Sequence, residues 1–224
     1  MVSIGTASGL RTEAFITRMD APLGRAVGNA VEIAECIALL SGGGPDDLAH
    51  EIATIAARMI LLAGKASSDA EAAAMVARAL DSGAAREKLK QMITWQGGDA
   101  SVVDDPARLP QATHVHQVLA QKAGFLQSLD ALLIGRTAVA LGAGRDKKSD
   151  AVDLSAGIIL HKKPGDAVAA GEPLLDLHYN DASRLPAALA LATQAAVIGD
   201  RAPAEAAQMI GWVHDSGEQM FVAL

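Results

Sequence analysis

The stretch Met19-Asp20-Ala21-Pro22-Leu23-Gly24-Arg25-Ala26-Val27-Gly28-Asn29-Ala30, with Glu32 and Glu35 beyond it, constrains the fold more than any other part of the chain. Residues Arg11 to Met19 read as a strand, because Ala14, Phe15 and Ile16 form a short apolar run. Pro22 and Gly24 break that run. Helical spacing then resumes through Val27, Val31, Ala34 and Ala38, with Ile33, Ile37 and Leu40 on an adjoining face. Strand, tight turn and acid-bearing helix therefore follow one another directly. The carbonyls of such a turn, joined by one carboxylate from the next helix, make an all-oxygen set suited to a hard cation. A single formal charge suits a monovalent ion better than a divalent one. The plainer reading of the same residues is a turn followed by the solvated face of a helix, and spacing alone leaves both open.

The bulk properties narrow the class. A chain of 224 residues, half of them hydrophobic, can bury a sizeable core in one or two domains. A net charge of -7 leaves no basic face to neutralise phosphates, which argues against a nucleic-acid partner. The basic clusters Arg145-Asp146-Lys147-Lys148 and Lys162-Lys163 are flanked by acids and read as solvated turns. The single cysteine, Cys36, allows no intramolecular disulfide. No apolar run reaches the roughly 20 residues of a membrane span, and the amino terminus has no secretion-signal pattern, so no membrane partner and a cytoplasmic location are expected. Aromatic residues make up only 3% of the chain, and the abundant alanine favours small-residue helix packing.

From about residue 27 to 96 the pattern is a run of helices. Leu48, Ile52, Ile55 and Met59 form one apolar stripe, and Ser68-Asp69-Ala70-Glu71 is a capping box with Gly83 beyond the helix it opens. Leu89, Met92 and Ile93 mark a further helix that stops at Gly97-Gly98, and 97–105 reads as a linker or crossing loop. The texture then turns to strands. Extended runs are expected around Val115 and Val118 and from Phe125 to Leu129. Asp130 should cap a helix that runs through Leu141 and ends at Gly142. Leu154, Ala156, Ile158 and Leu160 alternate along one strand face. Two turns follow at Gly165-Asp166 and Gly171, with Val168 and Leu174 pointing inward. A last helix over about 183–198 and a strand near 209–213 complete the expected series.

Other candidate sites have plain alternatives. His114 and His116 sit on one side of a strand and make half of a metal site without a third ligand, and a structural or surface role is the simpler reading. His161 and His178 are expected to be exposed. Cys36 lies between apolar helix residues with no activating pattern, and reads as buried and inert. Gly42-Gly43-Gly44 and Gly142-Ala143-Gly144-Arg145 each follow a helix and read as its stop rather than as a phosphate loop.

Four separated blocks in order carry a family resemblance. They are the opening segment, Gln96-Gly97-Gly98-Asp99-Ala100-Ser101, Leu141-Gly142-Ala143-Gly144-Arg145 with Lys147-Lys148, and Asp153 through Gly165-Asp166. By these blocks the chain resembles the pyrimidine-nucleoside phosphorylases, the family that includes thymidine phosphorylase. Its Pro-Leu-Gly form looks more like the broad pyrimidine-nucleoside enzymes than the thymidine-specific branch. The resemblance implies an α/β (α+β) fold in two parts. Residues 1–105 would be the carboxy-terminal part of a large α/β glycosyltransferase domain, and 106–224 a β-rich barrel-sandwich-hybrid, or α/β-hammerhead, domain. It also implies a potassium ion held by main-chain oxygens of Leu23 and Ala26 and by the carboxylate of Glu35.

The family's reaction is reversible phosphorolysis, in which phosphate attacks the anomeric carbon of a pyrimidine nucleoside and yields free base and sugar 1-phosphate. The enzyme is a homodimer with phosphate as co-substrate. The family's Lys-His-Ser-x-Gly-Gly phosphate loop and its Arg, Ser and Lys set have no counterpart among these residues. No catalytic or substrate-binding residue is therefore expected here. The chain looks like the carboxy-terminal half of a phosphorylase, silent alone and prone to self-associate through an unpaired strand near residues 11–19. Two readings from other classes stay beside this one. One is a non-catalytic scaffold or binding module built on the hybrid domain. The other is a lipoyl or biotinyl carrier, although the hairpin tip is Pro164-Gly165-Asp166 rather than the Asp-Lys or Met-Lys that presents a carrier lysine.

Overall fold

A computed structural model describes residues 1–145, 147–204, 206–214 and, for the backbone, 219–220. Asp146 of the basic 145–148 cluster and the last four residues lie outside that set. A short helix α1 (Val2–Ala7) leads to strand β1 (Ala14–Thr17), the core of the strand expected over 11–19. The chain then turns through Pro22-Leu23-Gly24 into β2 (Ala26–Gly28) and helix α2 (Ala30–Leu40). The sequence pattern predicts helix from Val27. Instead Val27 pairs with Ile158 across an antiparallel ladder, so a tertiary strand partner overrides the helical periodicity.

Helices α3 (Asp46–Leu62), α4 (Asp69–Asp81) and α5 (Ala84–Trp95) follow. The Ser68 hydroxyl accepts the Glu71 N–H at 3.2 Å as the capping box predicts. The Glu71 carboxylate, however, reaches Ser67 N and Oγ at 2.8 and 2.7 Å rather than the cap residue itself. The Leu48-to-Met59 stripe lies on α3, yet α3 has no fully buried residue, and Ile52 and Met59 are exposed. The expected linker 97–105 contains a short 3₁₀ turn, Ala100–Val103, and a second, Pro106–Arg108, follows directly after it, each opened by an aspartate side chain.

The second half is built on two antiparallel sheets. One has the order β2–β5–β7–β3, with β3 (His114–Leu119), β5 (Gly157–Leu160) and β7 (Pro173–Tyr179). The other places β4 (Gly124–Leu129) between β6 (Ala167–Val168) and β8 (Ala196–Gly199). Neither sheet closes into a barrel among the described residues. Helix α6 (Ala131–Leu141) begins where the Asp130 carboxylate accepts the Leu133 N–H at 2.9 Å and ends at Gly142, as the sequence predicts. Helix α7 (Leu185–Ala195) is shorter than the expected 183–198. Residues 196–199 pair with β4 instead, and the Ala196, Val197 and Ile198 run suits a strand.

One core joins these layers. Leu126 and Leu129 from β4, Ile158 and Leu160 from β5, and Leu175 and Leu177 from β7 meet α6 and α7. Ala188 and Ala192 of α7 have no exposed surface, so the two helices approach closely through small side chains. The expected inward alternation holds for Ala156, Ile158 and Leu160, while Leu154 is 53% exposed. Val168 and Leu174 pack together with Ala120 under the double turn.

Both strands of the amino-terminal portion find partners late in the chain. β1 pairs with β9 (Met209–Val213), which in turn pairs with β10 (Gln219–Met220). The strand expected to lack neighbours is thus paired on one side. β2 forms the edge of the four-stranded sheet, and this contact puts the Pro22–Ala26 turn against the hairpin that follows β5.

Candidate cation site

The turn is held open by side chains from three directions. Gly24 is buried with φ +67°, and a Cβ added there would lie 2.4 Å from Glu35 Oε2. Only glycine meets both the left-handed backbone and that approach. The Glu35 carboxylate, one turn and a half into α2, accepts the Arg25 N–H at 2.8 Å. Glu32 Oε1 likewise accepts the Gly28 N–H at 2.9 Å, so two α2 acids fold back on the backbone that precedes their helix. The Arg25 guanidinium donates to the carbonyls of Leu160 and His161 at 3.2 and 2.8 Å, and the Leu160 N–H donates to the Arg25 carbonyl at 2.7 Å. A Cβ on Gly157 would meet Val31 Cγ2 at 2.7 Å and the Val27 carbonyl oxygen at 3.0 Å, so glycine there lets α2 and β2 sit down on β5.

Leu23, Ala26 and Glu35 line one cavity of about 370 Å³, whose wall also includes Glu32, Leu48 and Ile134. The fold therefore brings together the three residues singled out in the sequence. The cavity wall is otherwise mostly apolar, with Pro22, Val27, Leu48, Ala131 and Ile134, so a monovalent cation there would rely on the main-chain oxygens of Leu23 and Ala26 and the single charge of Glu35. Glu35 keeps acceptor capacity beyond the Arg25 bond, since a carboxylate offers about four lone-pair sites. A second cavity of about 370 Å³ lies at the same turn, lined by Arg25, Pro45, Asp46, Asp47 and Lys163.

The acid at the start of α3 was not legible as part of this site. Asp47 Oδ2 accepts the Gly24 N–H at 3.2 Å and lies 2.8 Å from Lys163 Nζ. Burial tends to raise the Asp47 pKa, but the Lys163 hydrogen bond and charge, with the Leu48 and Gly24 N–H groups, outweigh it and hold the carboxyl below its ordinary range. Lys163 in turn sits 139 residues from the Gly24 it contacts, and no local pattern could have announced that.

The remaining candidates resolve as follows. Cys36 is exposed rather than buried. It lines the same cavity as Glu35, and packing around the thiol and then the charges of Glu35 and Glu32 raise its pKa, so no activation is present. The His114 ring lies against that of Tyr179 with centroids 5.3 Å apart and planes tilted by 34°, and among the described residues no group of three metal-binding side chains occurs. The two lysines of the hairpin are both engaged: Lys162 pairs with Glu172 at 2.7 Å, and Lys163 turns inward, unlike a carrier lysine on display. Among the described residues no helix is long and apolar enough to cross a membrane.

His161 is exposed as expected, 3.0 Å from Asp176. His178, expected to be exposed, is half-buried on the same sheet face. Burial lowers its pKa, the Asp176 charge opposes that shift, and His161 adds to it. A depressed histidine pKa means the unfolded chain binds the proton more readily, so stability rises with pH up to the ordinary value of 6.5 and falls as pH drops below it. His178→Gln is expected to flatten the urea-denaturation midpoint against pH just below 6.5, and an unchanged slope would remove the assignment.

Comparison with known proteins places this geometry in context. Residues 125–199 match the sequence family described as pyrimidine nucleoside phosphorylase C-terminal domain. The pyrimidine-nucleoside phosphorylase of Staphylococcus aureus strain bovine RF122 / ET3-1 is 48% identical over 180 residues, which is 80% of this chain and 42% of the relative. The enzymes of the same name from Staphylococcus aureus strain USA300 and Staphylococcus haemolyticus strain JCSC1435 are each 47% identical over 180 residues, with the same coverage. The chain thus spans less than half the length of the relatives it matches.

Proposed function

We propose that the chain, which matches the pyrimidine nucleoside phosphorylase C-terminal domain over residues 125–199, supplies the cation-binding and hybrid-domain portion of an enzyme that phosphorolyses pyrimidine nucleosides. The substrates are a pyrimidine nucleoside and phosphate, and the products a free base and a pentose 1-phosphate. The working form is a cytoplasmic homodimer. Potassium is held by the main-chain oxygens of Leu23 and Ala26 and by the Glu35 carboxylate. The observation that supports this reading is that those three residues, matched to the family's ligand positions, line one cavity.

When bound, the cation supplies fixed positive charge that draws turn carbonyls and a helix carboxylate together. This chain's own residues prepare for it. The Arg25 N–H orients Glu35, and Gly24 leaves room for the carboxylate. Phosphate binding and stabilisation of the departing base need donors preorganised at those atoms. The family's residues for that work have no counterpart in these 224 residues, so the polypeptide by itself carries out no phosphorolysis.

A chimera tests the reading. The chain's matching 180 residues, placed in the Staphylococcus aureus enzyme, are expected to give thymine release from thymidine and phosphate within about tenfold of the parent, while the separate chain gives none. A folded but inert chimera, or base release by the separate chain, would overturn it. Glu35→Gln in the chain is expected to abolish a potassium-specific rise in melting temperature of about 2–4 °C, read against tetramethylammonium chloride at equal ionic strength.

A further inference from the structure

Lys163 is outside the ligand set just considered, yet its ammonium is enclosed by the same turn. Nζ donates to the carbonyl oxygens of Pro22 and Gly24, the latter at 2.6 Å, and lies 2.8 Å from Asp47 Oδ2. An alkylammonium has three N–H donors and no acceptor, so these three oxygens use it completely. The side chain is only 20% exposed. Its backbone is also fixed: the Lys163 N–H donates to Asp166 Oδ2 at 2.8 Å, and the Asp166 N–H to the Lys163 carbonyl at 3.0 Å. The hairpin therefore delivers one positive charge to a defined point on the turn.

Carbonyl dipoles that converge on one point repel each other unless a cation lies between them. Pro22 and Gly24 are in that position, and Leu23 stands between them in the chain. From this geometry we infer that Lys163 is a positioning residue, a tethered monovalent cation that locks the Pro22–Gly24 carbonyls against Asp47 and so presents Leu23, Ala26 and Glu35 to their shared cavity. The effect on a bound ion rests on the potassium reading above. The lock itself stands on the contacts of Lys163. It joins three elements distant in sequence, the turn, the start of α3 and the β5–β6 hairpin, around one ammonium.

The test uses the 224-residue chain, with amide hydrogen exchange at Gly24 and Arg25 as readout. Those two N–H groups are held by Asp47 and Glu35. In Lys163→Ala both should exchange at least about tenfold faster than in the parent, and Asp47→Asn should speed exchange at Gly24. Amides of Ile158 and Leu177 in the central sheet report that each variant is folded. Ammonium chloride is expected to bring Lys163→Ala back to within about threefold of the parent, where tetramethylammonium chloride at equal ionic strength does not. Parent-like exchange at Gly24 and Arg25 in both variants would overturn the inference. Lost protection that free ammonium does not restore would overturn the tethered-cation role.

Potassium chloride separates the two proposals. If it leaves exchange at Arg25 in the parent chain unchanged while Lys163→Ala still loses protection, the potassium reading fails and the lock stands. If the parent's potassium effect persists at the same midpoint in Lys163→Ala with parent-like exchange, the lock fails and the potassium reading stands.

Discussion

Arg58→Met is expected to destabilise the chain by about 2–3 kcal/mol, measured as a lowered urea midpoint at unchanged slope. Arg58 lies on α3 and grips Glu13 with two nitrogens, Nε at 2.8 Å and Nη2 at 2.6 Å, while Nη1 reaches Asp69 at 2.7 Å. Its guanidinium carbon sits 4.4 Å from the centroid of the Trp212 ring, and Trp212 Nε1–H donates to the same Glu13 carboxylate at 3.0 Å. The Glu13 side chain is only 10% exposed and that of Arg58 20%. Methionine fills much of the space but leaves Glu13 charged, nearly dry and bonded to one indole. Breaking a fully buried pair costs roughly 3–5 kcal/mol, and the residual solvent contact of Arg58 lowers the figure here. Arg58→Lys should recover less than half of the loss, because an ammonium cannot make the planar two-nitrogen grip. Loss of protection should concentrate in β1 and β9, which this cluster ties to α3. A midpoint within about 0.5 kcal/mol of the parent would show that the cluster contributes little.

Leu177→Ala is expected to cost more, about 3–4 kcal/mol. Leu177 has no exposed surface, lies in β7 directly across from Ile158, and belongs to the core shared by the four-stranded sheet, α6 and α7. The neighbouring strand and helix backbones cannot collapse into the space left behind, so the lost contacts and the cavity add. For a chain of this size the loss corresponds to a fall of roughly 6–16 °C in melting temperature. Leu132→Ala, by contrast, removes a side chain that is 64% exposed on α6, and should stay within about 0.5 kcal/mol. Equal losses at the two positions would mean that the core is not where the structure puts it.

Much of the fold could be read in advance where one residue's chemistry acts on its own neighbours. The Asp130 cap, the end of α6 at Gly142, and the inward alternation of Ala156, Ile158 and Leu160 all rest on backbone groups or side chains a few positions apart. The reading failed where a distant strand competed with local preference. Val27 has helical spacing with Val31 and Ala34, but its hydrogen-bond partner is in β5; residues 196–198 extend a helical pattern, but β4 takes them. Burial was the other weak point. The α3 stripe is periodic yet has no fully buried residue, and Cys36, placed among apolar neighbours, is exposed along the wall of a cavity. Periodicity tells which residues share a face, and only the packing partner decides whether that face is covered.

For the site, the division follows the same physical line. The sequence by itself carried the family resemblance, and it determined the Pro22-Leu23-Gly24 turn and the acids that follow it, because turn chemistry and an N-terminal carboxylate act within a few residues. It also named Leu23, Ala26 and Glu35 through the matching motif. Only the tertiary structure decided that these three line one cavity and that β2 is the edge of the four-stranded sheet. It also decided that the turn is closed by Lys163 and Asp47. Electrostatic contacts act through space, over a few ångströms, whatever the separation along the chain. A lysine 139 residues away can therefore govern a turn whose own sequence carries no trace of it.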